Sequence, residues 1–226
     1  RSGFKEVAKE AKVDPNQFTG VVDFAALRKQ NPDVVGWIYQ KDTIINYPIM
    51  RGNNNDIYLH TDIKKKYSVS GSIFMDYRNS ADFSDFNTIV YGHHMHDGSM
   101  FKSLRGYTKE NDYYDSHKTF ELITPDAKYH LQVFASYITP ATSDAYKNSF
   151  NSEAEKQAFI NYARTNSKIS VEGVNISTED RIVTLSTCAY DFDEARYVVC
   201  KMIPWTKAEV SEGEKLQAKI DKQNGK

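Results

Sequence analysis

The chain has 226 residues, 40% of them hydrophobic, which is enough for a real core in one large domain or two small ones. Its 29 basic and 30 acidic side chains nearly cancel, so no electrostatic case exists for a nucleic-acid partner. No apolar run is long enough to span a bilayer; the sequence opens Arg1-Ser2-Gly3 without a Met, so a missing targeting segment decides nothing.

Residues 1–30 read as an N-terminal helical segment. Val7, Ala8 and Ala11 recur at helical spacing, Pro15 breaks the pattern, and Phe24 and Leu27 resume it until Asn31-Pro32. Short strand candidates follow at Trp37–Gln40, Ile44–Met50, Ser72–Tyr77, Thr88–Gly92, Thr119–Thr124, Lys128–Thr139, Arg181–Cys188 and Arg196–Trp205. The alternation of Tyr129, Leu131, Val133, Ala135 and Tyr137 is the clearest among them. One helix interrupts the series. Ser152-Glu153-Ala154-Glu155 reads as a capping box, followed by a stripe of Ala154, Ala158, Phe159, Tyr162 and Ala163. Eight strands with few helices predict a closed barrel or sandwich over residues 31–205. The polar tail, residues 206–226, is expected to be frayed helix or disordered.

Chemistry concentrates where the seventh strand ends. In Thr184-Leu185-Ser186-Thr187-Cys188, alternation puts Ser186 and Cys188 on one face. A hairpin around Ala189–Ala195 would set Arg196 directly opposite Cys188, close enough for a guanidinium to favour the thiolate and to donate to an oxyanion. The same register would oppose Cys200 to Thr184, too far from Cys188 for a disulfide, so both thiols are expected to be free. Cys200 reads as a small hydrophobe inside a strand. A cysteine nucleophile also needs a proton shuttle. Of the six histidines, three cluster in Gly92-His93-His94-Met95-His96. They lack a nearby Cys or Glu to complete a ligand set, so a histidine at the strand end is favoured as the shuttle over a metal centre. His130 reads as a surface residue on its strand, and His60 and His117 as loop residues without a signal.

These segments resemble a known family. Thr184-Leu185-Ser186-Thr187-Cys188 with the downstream Arg196 is similar to the active-site strand of sortases. Tyr91-Gly92-His93-His94 followed by Asp97-Gly98-Ser99-Met100-Phe101 resembles the catalytic-histidine segment of class B sortases. Asn31–Ile38, Ile45–Ile49, Gly71–Asp76 and the helix near 152–166 look like that class too, so the likeness runs over Asp23–Trp205. It implies an eight-stranded sortase β-barrel with N-terminal helices and a helix between the sixth and seventh strands. It implies His93, Cys188 and Arg196 as a catalytic trio, with Ser186, Asn55 and Leu59 in the substrate groove and no cofactor. The implied reaction is transpeptidation: cleavage of a C-terminal sorting signal after Thr, then transfer of the acyl group to a cell-wall precursor amine. The implied setting is the outer face of a Gram-positive membrane, through an anchor outside this sequence. A peptidase passing the same thioester to water, a non-catalytic peptide-binding barrel and a metal protein built on His93, His94 and His96 are the competing readings.

Overall fold

The structure, a computed structural model, describes residues 2–109, 112–140, 146–188 and 194–225. Helices α1 (Ser2–Glu10) and α2 (Phe24–Gln30) come first. Val7, Ala8, Ala11 and Leu27 are the buried side of this pair, and the Asp23 carboxylate caps α2 by accepting from the Ala26 N–H. Eight strands follow: β1 (Val34–Tyr39), β2 (Asn46–Met50), β3 (Ile73–Met75), β4 (Asn87–His93), β5 (Thr119–Ile123), β6 (Lys128–Pro140), β7 (Ile182–Cys188) and β8 (Glu194–Pro204). They close into one barrel in the order β1-β2-β3-β4-β7-β8-β6-β5. Closure leaves no sheet edge to recruit another chain. Two of the contacts are parallel, β2 with β3 and β4 with β7; β4 and β7 are separated in sequence by β5 and β6 on the other side of the barrel.

Alternation divides the side chains into layers. Ile38, Ile49, Val90, Leu131, Val133, Val183, Leu185 and Val198 point inward and fill the barrel. The opposite faces are covered twice. Trp37, Met50, Phe74, Ile89 and Tyr91 share one buried cluster with Val7, Ala8 and Leu27 of the N-terminal helices. Phe134, Tyr137, Ile182, Tyr197 and Val199 meet α5 (Glu153–Asn166). Burial on both faces explains why several strands read as near-continuous apolar runs.

Two local expectations change. Ser152 does cap α5, accepting from the Glu155 N–H at 3.2 Å, but the Glu155 carboxylate accepts from the Asn151 N–H, one residue before the cap. The buried side of α5 is Phe159, Ile160 and Ala163; Ala154 and Ala158 are exposed because the helix meets the barrel only along its second half. The polar tail is α6 (Lys207–Gln223), a regular helix rather than a frayed one. A complete capping box between Thr206 and Glu209 starts it. The N-terminal segment and the barrel then hold it: Thr19 donates to Gln217 Oε1 at 2.8 Å, and His130 Nε2 on β6 meets Glu209 Oε2 at 2.6 Å. His130 is therefore an internal link and not a plain surface residue. Its Nδ1 faces Glu121, and its ring stacks on Trp205.

Candidate active site

The site is built where β4 and β7 end side by side. The two strands run parallel in continuous register from Asn87↔Ile182 to His93↔Cys188. Directly paired residues of neighbouring strands share a face, so Tyr91 lies beside Ser186, both away from the barrel interior, and His93 is paired with Cys188 at the strand ends. Residues far apart in sequence are thus aligned by backbone hydrogen bonding alone. Gly92, between Tyr91 and His93, is required by space: a Cβ there would sit 2.5 Å from Ile73 Cδ1 and 2.7 Å from the Phe101 ring.

His93 is buried, and its orientation is fixed from a third segment. The 3-10 turn Ile57–Leu59 presents the Leu59 carbonyl to His93 Nε2 at 2.5 Å. A carbonyl only accepts, so Nε2 carries the hydrogen and proton exchange falls to Nδ1. Burial lowers the His93 pKa; the Leu59 carbonyl opposes this shift, and His60 adds to it. The His60 ring stacks on His93 with centroids 5.7 Å apart. Neither the Leu59 carbonyl nor His60 was recognisable as part of the histidine's environment from sequence, since both come from a polar loop without periodic pattern. Leu59 was expected in the substrate groove; its backbone carbonyl is what meets His93.

His94 points the other way and pairs with Met100 in an isolated bridge. Burial lowers its pKa, as do the charges of Arg196, Lys102 and Arg105. Among the described residues, no three His, Cys, Asp or Glu side chains gather around a point that could hold a metal ion.

The register of β7 with β8 departs from the expected one. Val183 pairs with Cys200 and Ser186 with Tyr197, one residue away from an arrangement with Cys200 opposite Thr184. A slip of one residue changes which face a side chain occupies. Arg196 therefore lies across from Thr187, not Cys188: its backbone N–H donates to Thr187 Oγ1 at 3.3 Å. Its guanidinium Nε donates to Thr108 Oγ1 at 2.6 Å, from α3 (Gly106–Lys109). Thr108 carried no signal in the sequence. Burial, then the neighbouring Arg105, lowers the Arg196 pKa from its very high ordinary value. The turn expected around Ala189–Ala195 falls mostly on residues 189–193, outside the described residues, as does the Cys188 side chain. Cys200 is a free, fully buried thiol, and burial pushes its pKa up. That fits a packing role inside the barrel.

The remaining expected groove residues divide. Ser186 Oγ is buried with no hydrogen-bond partner among the described residues, two positions before Cys188 and on the same strand face. Asn55 does not present its amide outward. Its Oδ1 accepts from the Tyr77 N–H at 2.9 Å, and its Nδ2 donates to Asp76 Oδ2 at 3.2 Å.

Comparisons with known proteins agree with this geometry. Residues 40–202 match the sortase domain family. Sortase B of Staphylococcus aureus is 40% identical over 182 residues, which cover 80% of this chain and 74% of that protein. Sortase B of Listeria monocytogenes is 40% identical over 177 residues, covering 76% and 70%. The solved Staphylococcus aureus sortase B–substrate complex superposes with a TM-score of 0.82 at 34% identity, over 91% of this chain and 97% of that one. A closed barrel that brings a histidine and a cysteine to adjacent strand ends, in a sequence this similar over most of its length, places the chain in the sortase family as a class B, sortase-type cysteine transpeptidase.

Proposed function

We propose that Cys188, His93 and Arg196 carry the reaction, and that the substrate is a C-terminal sorting signal cut after Thr. The observation that carries this reading is the His93↔Cys188 pairing at the ends of two parallel strands. The Cys188 thiolate attacks the Thr carbonyl. The C–N bond breaks, and His93 delivers a proton from Nδ1 to the leaving amine while the Leu59 carbonyl holds Nε2–H. The product is a thioester on Cys188. An amine of a cell-wall precursor then attacks it, giving up its proton to His93, and Cys188 is released.

Arg196 stays protonated throughout and cannot act as a base. In this reading the Thr108 bond at Nε fixes the plane of the guanidinium, and the terminal nitrogens serve the developing oxyanion. Ser186, Asn55 and Leu59 belong to the groove, Asn55 and Leu59 by shaping it. The working site is the outer face of the cell envelope, with membrane attachment through a segment outside this sequence. Among the described residues no helix is long and apolar enough to cross a membrane.

The test is intact-mass spectrometry of the enzyme with a library of Thr-containing sorting-type peptides, with and without an added amine. The expected result is a peptide adduct on Cys188 that disappears with amine and yields the amide product. An adduct on another residue, or release only as the free acid whatever the amine concentration, would refute the assignment.

A further inference from the structure

Beside β4, the strand that carries His93, lies a buried carboxylate that takes no part in the chemistry above. Asp76, immediately after β3, has no exposed surface. Its two oxygens gather groups from separate parts of the chain. Arg78 donates from Nε to Oδ1 and from a terminal nitrogen to Oδ2, both at 2.9 Å, and from its backbone N–H to Oδ1 at 3.0 Å. The Tyr91 hydroxyl donates to Oδ2 at 2.8 Å. Asn55 donates to Oδ2 at 3.2 Å, and Asn148 stands at the limit of bonding distance, 3.5 Å from Oδ1. Burial pushes the Asp76 pKa up, but hydrogen bonds from the Arg78 side chain and backbone and from Tyr91, with the Arg78 charge, hold it below the ordinary carboxylate value.

Two of the ties lead toward the proposed pair, and a third leads to a neighbouring segment. Tyr91 precedes His93 by two positions on the same strand face and lies beside Ser186. Asn55 opens the short segment whose Leu59 carbonyl orients His93. Arg78 also reaches the Tyr146 carbonyl at 3.4 Å, and the Tyr146 ring lies 5.8 Å from Tyr91 and 5.3 Å from Tyr197. Charged acceptors make the stronger hydrogen bonds, and a carboxylate accepts in several directions at once.

We propose that Asp76 is a positioning residue for the peptide, locking Asn55, Tyr91 and the segment 146–148 into one groove wall around His93 and Cys188. The proposal rests on the assignment of that pair as the reacting centre. Asp76 touches neither the reacting atoms nor His93, so it acts on binding geometry and leaves the intrinsic chemistry of the thiol alone.

The test compares wild type with Asp76→Asn and Tyr91→Phe, using a fluorogenic peptide with Thr before the scissile bond, selected by cleavage with the wild type. Asp76→Asn keeps the shape but turns one acceptor into a donor facing Arg78. It should raise KM about tenfold while kcat changes by less than about twofold, since uniform binding is what is lost. The pH midpoint for alkylation of Cys188 by iodoacetamide, a probe that needs no groove, should stay in place. Tyr91→Phe removes one tie and should raise KM about threefold, and it carries the test alone if Asp76→Asn does not fold. A merely structural role would reduce the active fraction, lowering kcat at unchanged KM, and would overturn the proposal. So would a shifted alkylation midpoint. Cleavage of the same peptide by Cys188→Ala would instead refute the underlying site assignment, which separates the two failures.

Discussion

Gly92→Ala tests how tightly the barrel wall fixes the proposed pair, His93 and Cys188. The added Cβ would lie 2.5 Å from Ile73 Cδ1 and 2.7 Å from two atoms of the Phe101 ring. Carbon atoms pack best at about 3.5–4.0 Å, so the methyl falls about 1 Å short of a tolerable contact. Neither neighbour can move aside cheaply, because Ile73 is 1% exposed and Phe101 is fully buried. Overpacking of this kind costs about 1–3 kcal/mol. For a chain of this size each kcal/mol lowers the thermal midpoint by about 2–4 °C, so a drop of about 2–12 °C is expected. The strain also has a direct route to the site: the Phe101 N–H donates to the His93 carbonyl at 2.9 Å, so displacing Phe101 pulls on the strand end that aligns His93 with Cys188. A displacement of about 1 Å at reacting groups can cost on the order of 100-fold in rate. The assays are thermal unfolding and peptide turnover at a temperature where the variant is folded. Gly3→Ala is the control, because a Cβ there meets nothing within 4 Å and Gly3 sits in α1, where Ala is the better helix former. A Gly92→Ala enzyme with wild-type turnover and a midpoint lowered by less than about 1 °C would refute the reasoning.

Other expectations follow from the same geometry. Cys188→Ala should abolish peptide cleavage, whereas Cys200→Ser should retain it and lose about 1–3 kcal/mol of stability by burying a hydroxyl in an apolar barrel; activity and unfolding of the two variants check this together. Thr108→Val removes the acceptor at Arg196 Nε and should lower turnover more than it lowers stability; steady-state kinetics beside thermal unfolding would show the opposite if Thr108 only packs. For His130, burial lowers the pKa, but the hydrogen bonds and charges of Glu121 and Glu209 raise it overall. The resulting stability is fully present below about pH 6.5, the unfolded value, and is lost as pH rises through the raised folded value. His130→Gln should flatten that part of the stability–pH profile measured by urea unfolding, and a retained slope would argue against this link.

Much of the fold could be read from the chain because alternation is a local signal. All eight strand segments and the Ser152 cap of α5 stand where their patterns predict, within a few residues. The β7–β8 register could not be read so finely. Alternation fixes which residues share a face within a strand but not how two strands slide, and an error of one residue moved Arg196 from opposite Cys188 to opposite Thr187. Helix α6 was missed for a related reason. Its docking uses single polar contacts, Thr19 with Gln217 and His130 with Glu209, which leave no periodic apolar stripe to detect.

The site shows the same division between side-chain chemistry and backbone support. His93, Cys188 and Arg196, the proposed trio, drew attention in the sequence because reactive residue types stand there at strand ends. Their supports are of another kind. His93 is oriented by the carbonyl of Leu59, a group every residue possesses, and Arg196 by the hydroxyl of Thr108, on a short helix with no pattern of its own. Such supports become visible only once the barrel has folded segments distant in sequence onto one rim. Arg196→Lys follows from this arrangement. A lysine keeps the positive charge but has neither Nε–H to give Thr108 nor a planar fork for a carbonyl. If Arg196 acts by oriented donation, losing one oxyanion donor costs about 2.7–4 kcal/mol, on the order of 100- to 1000-fold in turnover, while the pH midpoint of Cys188 alkylation stays in place. If it acts by charge alone, turnover survives. If turnover falls only in step with a rising alkylation midpoint, the charge role accounts for the loss and the oriented role is refuted. Measuring both profiles on the one variant separates the two roles.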